Sequence, residues 1–216
     1  MDGHILLAVL DYLGIAVFAV TGALVASRKQ LDIVAFCFFA LAAGLGGGTL
    51  RDMMLGTLPV FWIREPIYVV VAVTMAVVIF FTAHWFYAGW SRYRLLLWAD
   101  AVGMSAYSVL GAAKALEAGT GPIPAVLMGC ITAAFGGVIR DVIAGEPSII
   151  VKPEVYVTAA FAGATVFVAL VTLGSAFWVA AITGAFVAFA VRAGALVYGW
   201  ALPGYRSRPG REVGRS

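Results

Sequence analysis

The sequence predicts an all-α membrane protein of seven transmembrane helices, arranged as a three-plus-three inverted repeat with one helix appended. Composition is the first reason: 63% of the 216 residues are hydrophobic and 12% are charged, against about 25% charged in an ordinary soluble domain. Segment length is the second. Residues 5–27, 31–50, 67–90, 95–116, 123–143, 155–173 and 176–200 are apolar runs, and crossing a hydrocarbon layer of roughly 30 Å takes about 20 residues. The third is an internal match that recurs at one offset.

Taken in order, the first segment has no basic residue before it, so it reads as a retained helix rather than a cleaved signal. The second ends in a glycine cluster followed by Arg51-Asp52. Pro66 stands in the first turn of the third, where the missing N–H costs nothing. The fourth repeats the polar face of the first. Pro122 and Pro124 open the fifth, the sixth follows a short polar connection, and Pro203 closes the seventh. Trp62, Trp85, Trp90, Trp98 and Trp200 flank the spans as interfacial anchors. The divisions are 1–94 for the first three-helix repeat, 95–173 for the second, 174–202 for the seventh helix, and 203–216 for a basic tail expected to be disordered. Arg206, Arg208, Arg211 and Arg215 against Glu212 in that tail account for the net charge of +3. Such a tail suits anionic headgroups, and no aromatic-interleaved patch points to nucleic acid.

Shifting the sequence by 89 positions carries Asp11 onto Asp100, Gly14 onto Gly103, Gly22 onto Gly111, Gly47 onto Gly136, Gly48 onto Gly137, Arg51 onto Arg140 and Asp52 onto Asp141. One deleted residue later, Arg64 falls on Lys152 and Tyr68 on Tyr156. Matched Asp, Arg and Gly at one offset are not a by-product of apolar composition. Each half has three spans, an odd number, so the second copy enters the membrane with opposite polarity. Lysine and arginine placement sets the orientation, because positive loops remain cytoplasmic. With the N-terminus outside and the C-terminus inside, the inner side receives ten of these residues and the outer side only Arg51, Arg64 and Lys114, with Arg192 inside the last helix.

Inverted repeats place a permeation or substrate path at their interface, lined by helices broken near mid-membrane. The candidate breaks are Gly44, Gly46, Gly47 and Gly48 in the second segment and Gly136 and Gly137 in the fifth, which makes these two the glycine-kinked helices. A kink or unwound turn would turn carbonyls toward a cavity, where they replace part of a cation's water. Close helix packing is the competing role for the same glycines. A charge at membrane depth costs about 2.5–3.5 kcal/mol, so Arg51 and Arg140 read either as pore-mouth charges or as clamps, and Asp52 and Asp141 as their structural partners. Asp11 and Asp100 lie on polar helix faces with Thr21 and Tyr107, which avoid lipid. Thr49 and Ser108 complete the pore-face polar set. Lys114 reads as a cation barrier or as an anchor reaching the interface.

The remaining chemistry is sparse. Cys37 and Cys130 lie within apolar runs and support neither disulfide nor zinc frameworks, and His4 and His84 have no second ligand at metal spacing. No nucleophile, base and orienter combination occurs, so an enzyme is not expected.

GGGTLRDMMLG at 46–56 and FGGVIRDVIAGEP at 135–147, set in two three-span halves plus one span, resemble the bacterial trimeric intracellular cation channels, some of which carry the label glycine transporter. The likeness spans about residues 5–200. It implies a homotrimer with a potassium-permeable pore in each subunit, lined by helices one, two, four and five, and counter-ion flow across a bacterial inner membrane. It places the kinks at Gly46, Gly47, Gly48, Gly136 and Gly137 and the basic residue of the fourth helix at Lys114. In animal relatives a Lys-Glu pair in that helix takes part in gating and lipid contact; here two residues separate Lys114 from Glu117. No cofactor is expected beyond a permeant potassium or sodium ion and bound lipid. A secondary transporter of glycine or another small zwitterion is the alternative, since broken half-helices suit a carboxylate and an ammonium equally.

Overall fold

The computed structural model describes residues 3–83, 91–151 and 154–203, and the side chains among them except those of residues 3–6 and 151. His84, Trp85, Trp90, Lys152 and the tail from residue 204 onward lie outside the described residues. The order is α1 (Gly3–Arg28), α2 (Ile33–Leu55), α3 (Phe61–Arg64), α4 (Ile67–Thr82), α5 (Arg92–Glu117), α6 (Pro122–Ile143), a single 3-10 turn (Ile149–Val151), α7 (Val157–Thr172) and α8 (Phe177–Tyr198). Among the described residues the only extended pairing is one antiparallel bridge between Glu154 and Ala201.

Local chemistry sets these limits. The Asp32 carboxylate accepts the N–H of Ala35 at 2.8 Å and starts α2, and Gly56, at φ 69°, stops it in the left-handed region that only glycine enters freely. Ser91 caps α5 by accepting the N–H of Arg94. Pro122 opens α6 where its missing N–H would have had no helical partner.

Five helices, α1, α2, α5, α6 and α8, are long and apolar enough to cross a membrane. The sixth predicted span is shorter than the sequence suggested, and the described part of the third is of the same length. α4 and α7 have 16 residues each, about 24 Å at 1.5 Å per residue, although residues 84–90 of the predicted third span fall outside the described part. Both short helices are the third of their half, and both follow a return segment. In the first half that segment holds α3, and in the second it holds the 3-10 turn.

Within the first half α1 packs on α2 and α4; within the second α5 packs on α6 and α7. The halves join through α1 against α5 and α2 against α6, while α8 lies outside the repeat on α7 and α5. The glycine clusters explain how α2 and α6 meet. A Cβ added at Gly47 would collide with the carbonyl oxygen of Thr132, and one added at Gly136 with that of Ala43. Thr132 and Ala43 are themselves repeat mates, so one contact is made twice around a pseudo-two-fold axis. Of the kink or unwound turn expected at these glycines, the unwound turn is not formed: α2 and α6 remain helical through them. At Gly47 and Gly136 the space released by the missing side chains is filled by the facing helix backbone; at Gly46 and Gly48 it is filled by the side chains of Ile139 and Phe61.

Candidate functional site

Two buried charged clusters sit at opposite ends of the repeat interface, each built from the Arg-Asp pair that closes the second helix of its half. In the first cluster Arg51 donates from Nε and Nη2 to Asp52 Oδ1 at 2.9 and 2.7 Å, and Asp52 Oδ2 accepts the N–H of Phe61 at 2.8 Å. In the second, Arg140 donates from Nε to Asp141 Oδ1 at 2.9 Å, and Asp141 Oδ2 accepts the N–H of Ile149 at 3.1 Å. Each aspartate therefore neutralises an arginine that is 1% exposed and also fixes the start of the return segment, on α3 in one half and the 3-10 turn in the other.

The clusters differ at the repeat-related carboxylates of α1 and α5. Asp100, fully buried, takes Arg140 Nη1 at 2.9 Å, so one guanidinium bridges two carboxylates. Asp11 takes nothing from Arg51. It accepts instead from Lys114 Nζ at 2.5 Å, a residue of the other half, and from Tyr68 Oη at 3.4 Å. Tyr12 stacks on Tyr68 with ring centroids 4.6 Å apart and reaches Glu65 through its hydroxyl. Above this pair opens a cavity of about 320 Å³ whose wall carries Asp52, Arg64, Glu65, Tyr68, Lys114 and Glu117. Lys114 forms part of its lining, with 26% of its side chain exposed, and Asp11 lies behind it at 3%. The cavity thus ends on an ion pair at the repeat interface.

Between the clusters the interface is filled. Phe18 and Tyr107, repeat mates, lie with ring centroids 5.2 Å apart, and each occupies the space that a side chain on the facing helix would need, Tyr107 at Gly14 and Phe18 at Gly103.

The predicted site residues distribute as follows. Asp11 and Lys114 meet directly, Asp100 meets Arg140, and Arg51-Asp52 and Arg140-Asp141 pair in sequence. Gly44 faces Ile15 and Ala19, Gly46 faces the Ile139 side chain, and Gly48 lies under the Phe61 ring. Gly137 borders the space shared by Asp100, Arg140 and Tyr156. The hydroxyls of Thr21 and Ser108 donate to carbonyls of their own helices, Phe18 and Ser105. Thr49 does the same to Leu45 while accepting from the Trp62 indole at 2.9 Å, which draws that tryptophan inward. Tyr107 reaches the Gly44 carbonyl at 3.5 Å. Among the described residues no group of three or more His, Cys, Asp or Glu is arranged to hold a metal.

One charge was missed as a site residue. Arg192 of α8 is 1% exposed, donates from Nη2 to Glu154 at 2.9 Å and lies over the Tyr156 ring at 5.1 Å. Its signal was present in the sequence as a lone arginine within an apolar span. Tyr68 and Tyr156 were legible as a repeat match but not as the rings that cover the two clusters.

The model of a protein family described as glycine transporter matches residues 8–84 and 97–172, one stretch in each half. Over 204 residues the chain is 35% identical to a UPF0126 membrane protein of Vibrio cholerae, covering 92% of this chain and 82% of that one. Over 161 residues it is 38% identical to the UPF0126 inner membrane protein YadS of Escherichia coli, covering 73% and 75%. Among solved structures, the trimeric intracellular cation channel orthologue from Rhodobacter sphaeroides superposes with a TM-score of 0.87 at 48% identity, over 90% of this chain and 99% of that one. A second TRIC cation channel superposes at 0.82 with 30% identity, over 94% and 98%.

Proposed function

We propose, for a chain that belongs to the membrane-protein family described as glycine transporter and that shares its fold with the trimeric intracellular cation channels, that it conducts monovalent cations, chiefly potassium. Conduction runs through a pore inside each subunit of a homotrimer and serves as counter-ion flow. The observation that carries this reading is the likeness to the Rhodobacter sphaeroides channel orthologue, which at 48% identity extends over nine-tenths of the chain. The site fits it. A cavity within one subunit leads to the repeat interface and stops on Lys114 and Asp11, a cation placed where a permeant cation would have to pass. A closed pore is the result, and moving one amine is the least rearrangement that opens its mouth.

In the cell the protein sits in the bacterial inner membrane with the Lys114 cavity outside and both termini placed as the arginine and lysine distribution directs, N-terminus out and C-terminus in. Potassium or sodium is the permeant ion, with lipid against the outer helix faces and no cofactor. The label of the matching family favours a second reading, a carrier of glycine or a similar zwitterion, for which the mixed charges of the cavity wall are also suited.

Recording from purified protein in a planar bilayer under a potassium gradient, with labelled glycine uptake into matched liposomes, decides between them. Discrete unitary steps reversing near the potassium potential are expected. Electrical silence with saturable glycine uptake would overturn the channel in favour of the carrier.

A further inference from the structure

The repeat contains one motif in two different pairings. Asp11 and Asp100, Arg51 and Arg140, and Asp52 and Asp141 are matched positions, and the backbone around them is matched too. Asp52 and Asp141 cap equivalent N–H groups, and Gly47 and Gly136 approach equivalent carbonyls. In the second half the arginine bridges both carboxylates; in the first it holds only its neighbour. The source of the difference is visible. Lys114 takes Asp11, whereas the residue matched to Lys114 in the first half is Val25, buried and apolar, so among the described residues no second cation competes with Arg140 for Asp100.

We propose that Arg51 is a positioning residue for the Lys114 gate: Arg51 and Lys114 compete for Asp11, and when Arg51 bridges Asp11 and Asp52, as Arg140 bridges Asp100 and Asp141, the Lys114 amine is released into the cavity. A guanidinium presents five donors in a planar fork, so Arg51 can add Asp11 through one nitrogen while keeping Asp52 through another. The Phe61 cap therefore survives the exchange. Lys114 is already part-exposed and lies beside Glu117 and Glu65 in the cavity wall, where water and carboxylates receive it. Membrane potential acts on the freed charge at roughly 2.3 kcal/mol per 100 mV for full transit, which gives the exchange a voltage dependence. The proposal rests on the channel reading only for its electrical consequence.

The test is amine labelling of the detergent-solubilised full chain with a water-soluble N-hydroxysuccinimide ester, read by mass spectrometry at Lys114 with Lys29 as internal control. Arg51→Lys keeps the charge and the Asp52 pair but lacks the fork that spans two carboxylates. Labelling of Lys114 should fall about five-fold or more, a coupling of ordinary allosteric size, while Lys29 and the Arg140→Lys control stay at the wild-type rate. Lys114 labelling that is unchanged or faster in Arg51→Lys would overturn the proposal. Should Arg51→Lys fail to fold, Lys114→Met provides a second route. Its single-channel open probability should become independent of voltage while its melting temperature stays near wild type, because Arg51 takes the orphaned carboxylate. A large drop in melting temperature, equal to that of Lys114→Met combined with Arg51→Gln, would sink the idea. Labelling and melting need no conductance, so they separate failure of this exchange from failure of the channel reading.

Discussion

Phe18 and Tyr107 occupy the same position in the two halves of the repeat and lie against each other at its centre, each filling the space left by a glycine on the facing helix. They are two aromatic rings filling the repeat interface between the charged clusters. Phe18→Ala should therefore raise the leak of potassium through the closed protein, measured as an increased open probability or a subconductance in planar bilayers. The same change should cost about 3–5 kcal/mol of stability, as large-to-small core substitutions do, and lower the melting temperature accordingly.

Gly47 and Gly136 set the distance between α2 and α6. Gly47→Ala or Gly136→Ala should each destabilise the protein by about 1–3 kcal/mol through overpacking, since the obstructing atoms are backbone carbonyls that cannot rotate away. Gly46→Ala should cost less, because it meets only the tip of the Ile139 side chain. Thermal unfolding in detergent, followed by intrinsic fluorescence, ranks the three. The double change Gly47→Leu with Gly136→Leu should abolish flux.

Asp52 and Asp141 do the same work, but their loss should not be equal. Removing one partner of a buried pair costs about 3–5 kcal/mol. After Asp141→Asn, Arg140 still holds Asp100; after Asp52→Asn, Arg51 and Lys114 are left with Asp11 alone between them. Asp52→Asn should thus give the lower melting temperature. Equal values would show that the shared pairing of Arg140 contributes little.

Much of this arrangement was legible in the sequence. The offset of 89 carried Arg51-Asp52 onto Arg140-Asp141 because a buried charge pair tolerates few substitutes, and the structure places both pairs at matched points. The glycines mark where α2 and α6 meet, in the close-packing role that competed with a pore kink. Periodicity cannot tell whether a missing side chain opens a cavity or admits another backbone; that depends on a helix distant in sequence. Lys114 and Asp11 were each visible as polar exceptions, yet their meeting joins residues of different halves, which no local pattern encodes. The sequence places Arg192 inside the last helix without naming a partner, because its partners lie in a connection, not in a span.

Arg192 and Glu154 should respond unequally to substitution. Glu154 keeps 32% of its side chain exposed and can turn to water, whereas Arg192 is enclosed. Arg192→Met, which replaces a buried charge with an apolar side chain of similar length, should be nearly neutral in stability. Glu154→Gln should cost more, because it leaves the guanidinium buried without a carboxylate. Paired melting curves of the two variants check the order.

The two ways of pairing buried charges in this chain impose an order on its biogenesis. Arg51 and Asp52 are adjacent, so their pair can form within one helix without any other segment. Asp11 is synthesised more than a hundred residues before Lys114, so its carboxylate has no lysine partner until α5 has been made. The last helix has the opposite fortune. Glu154 and Tyr156 are both synthesised before Arg192, so its carboxylate and its ring partner already exist when it emerges.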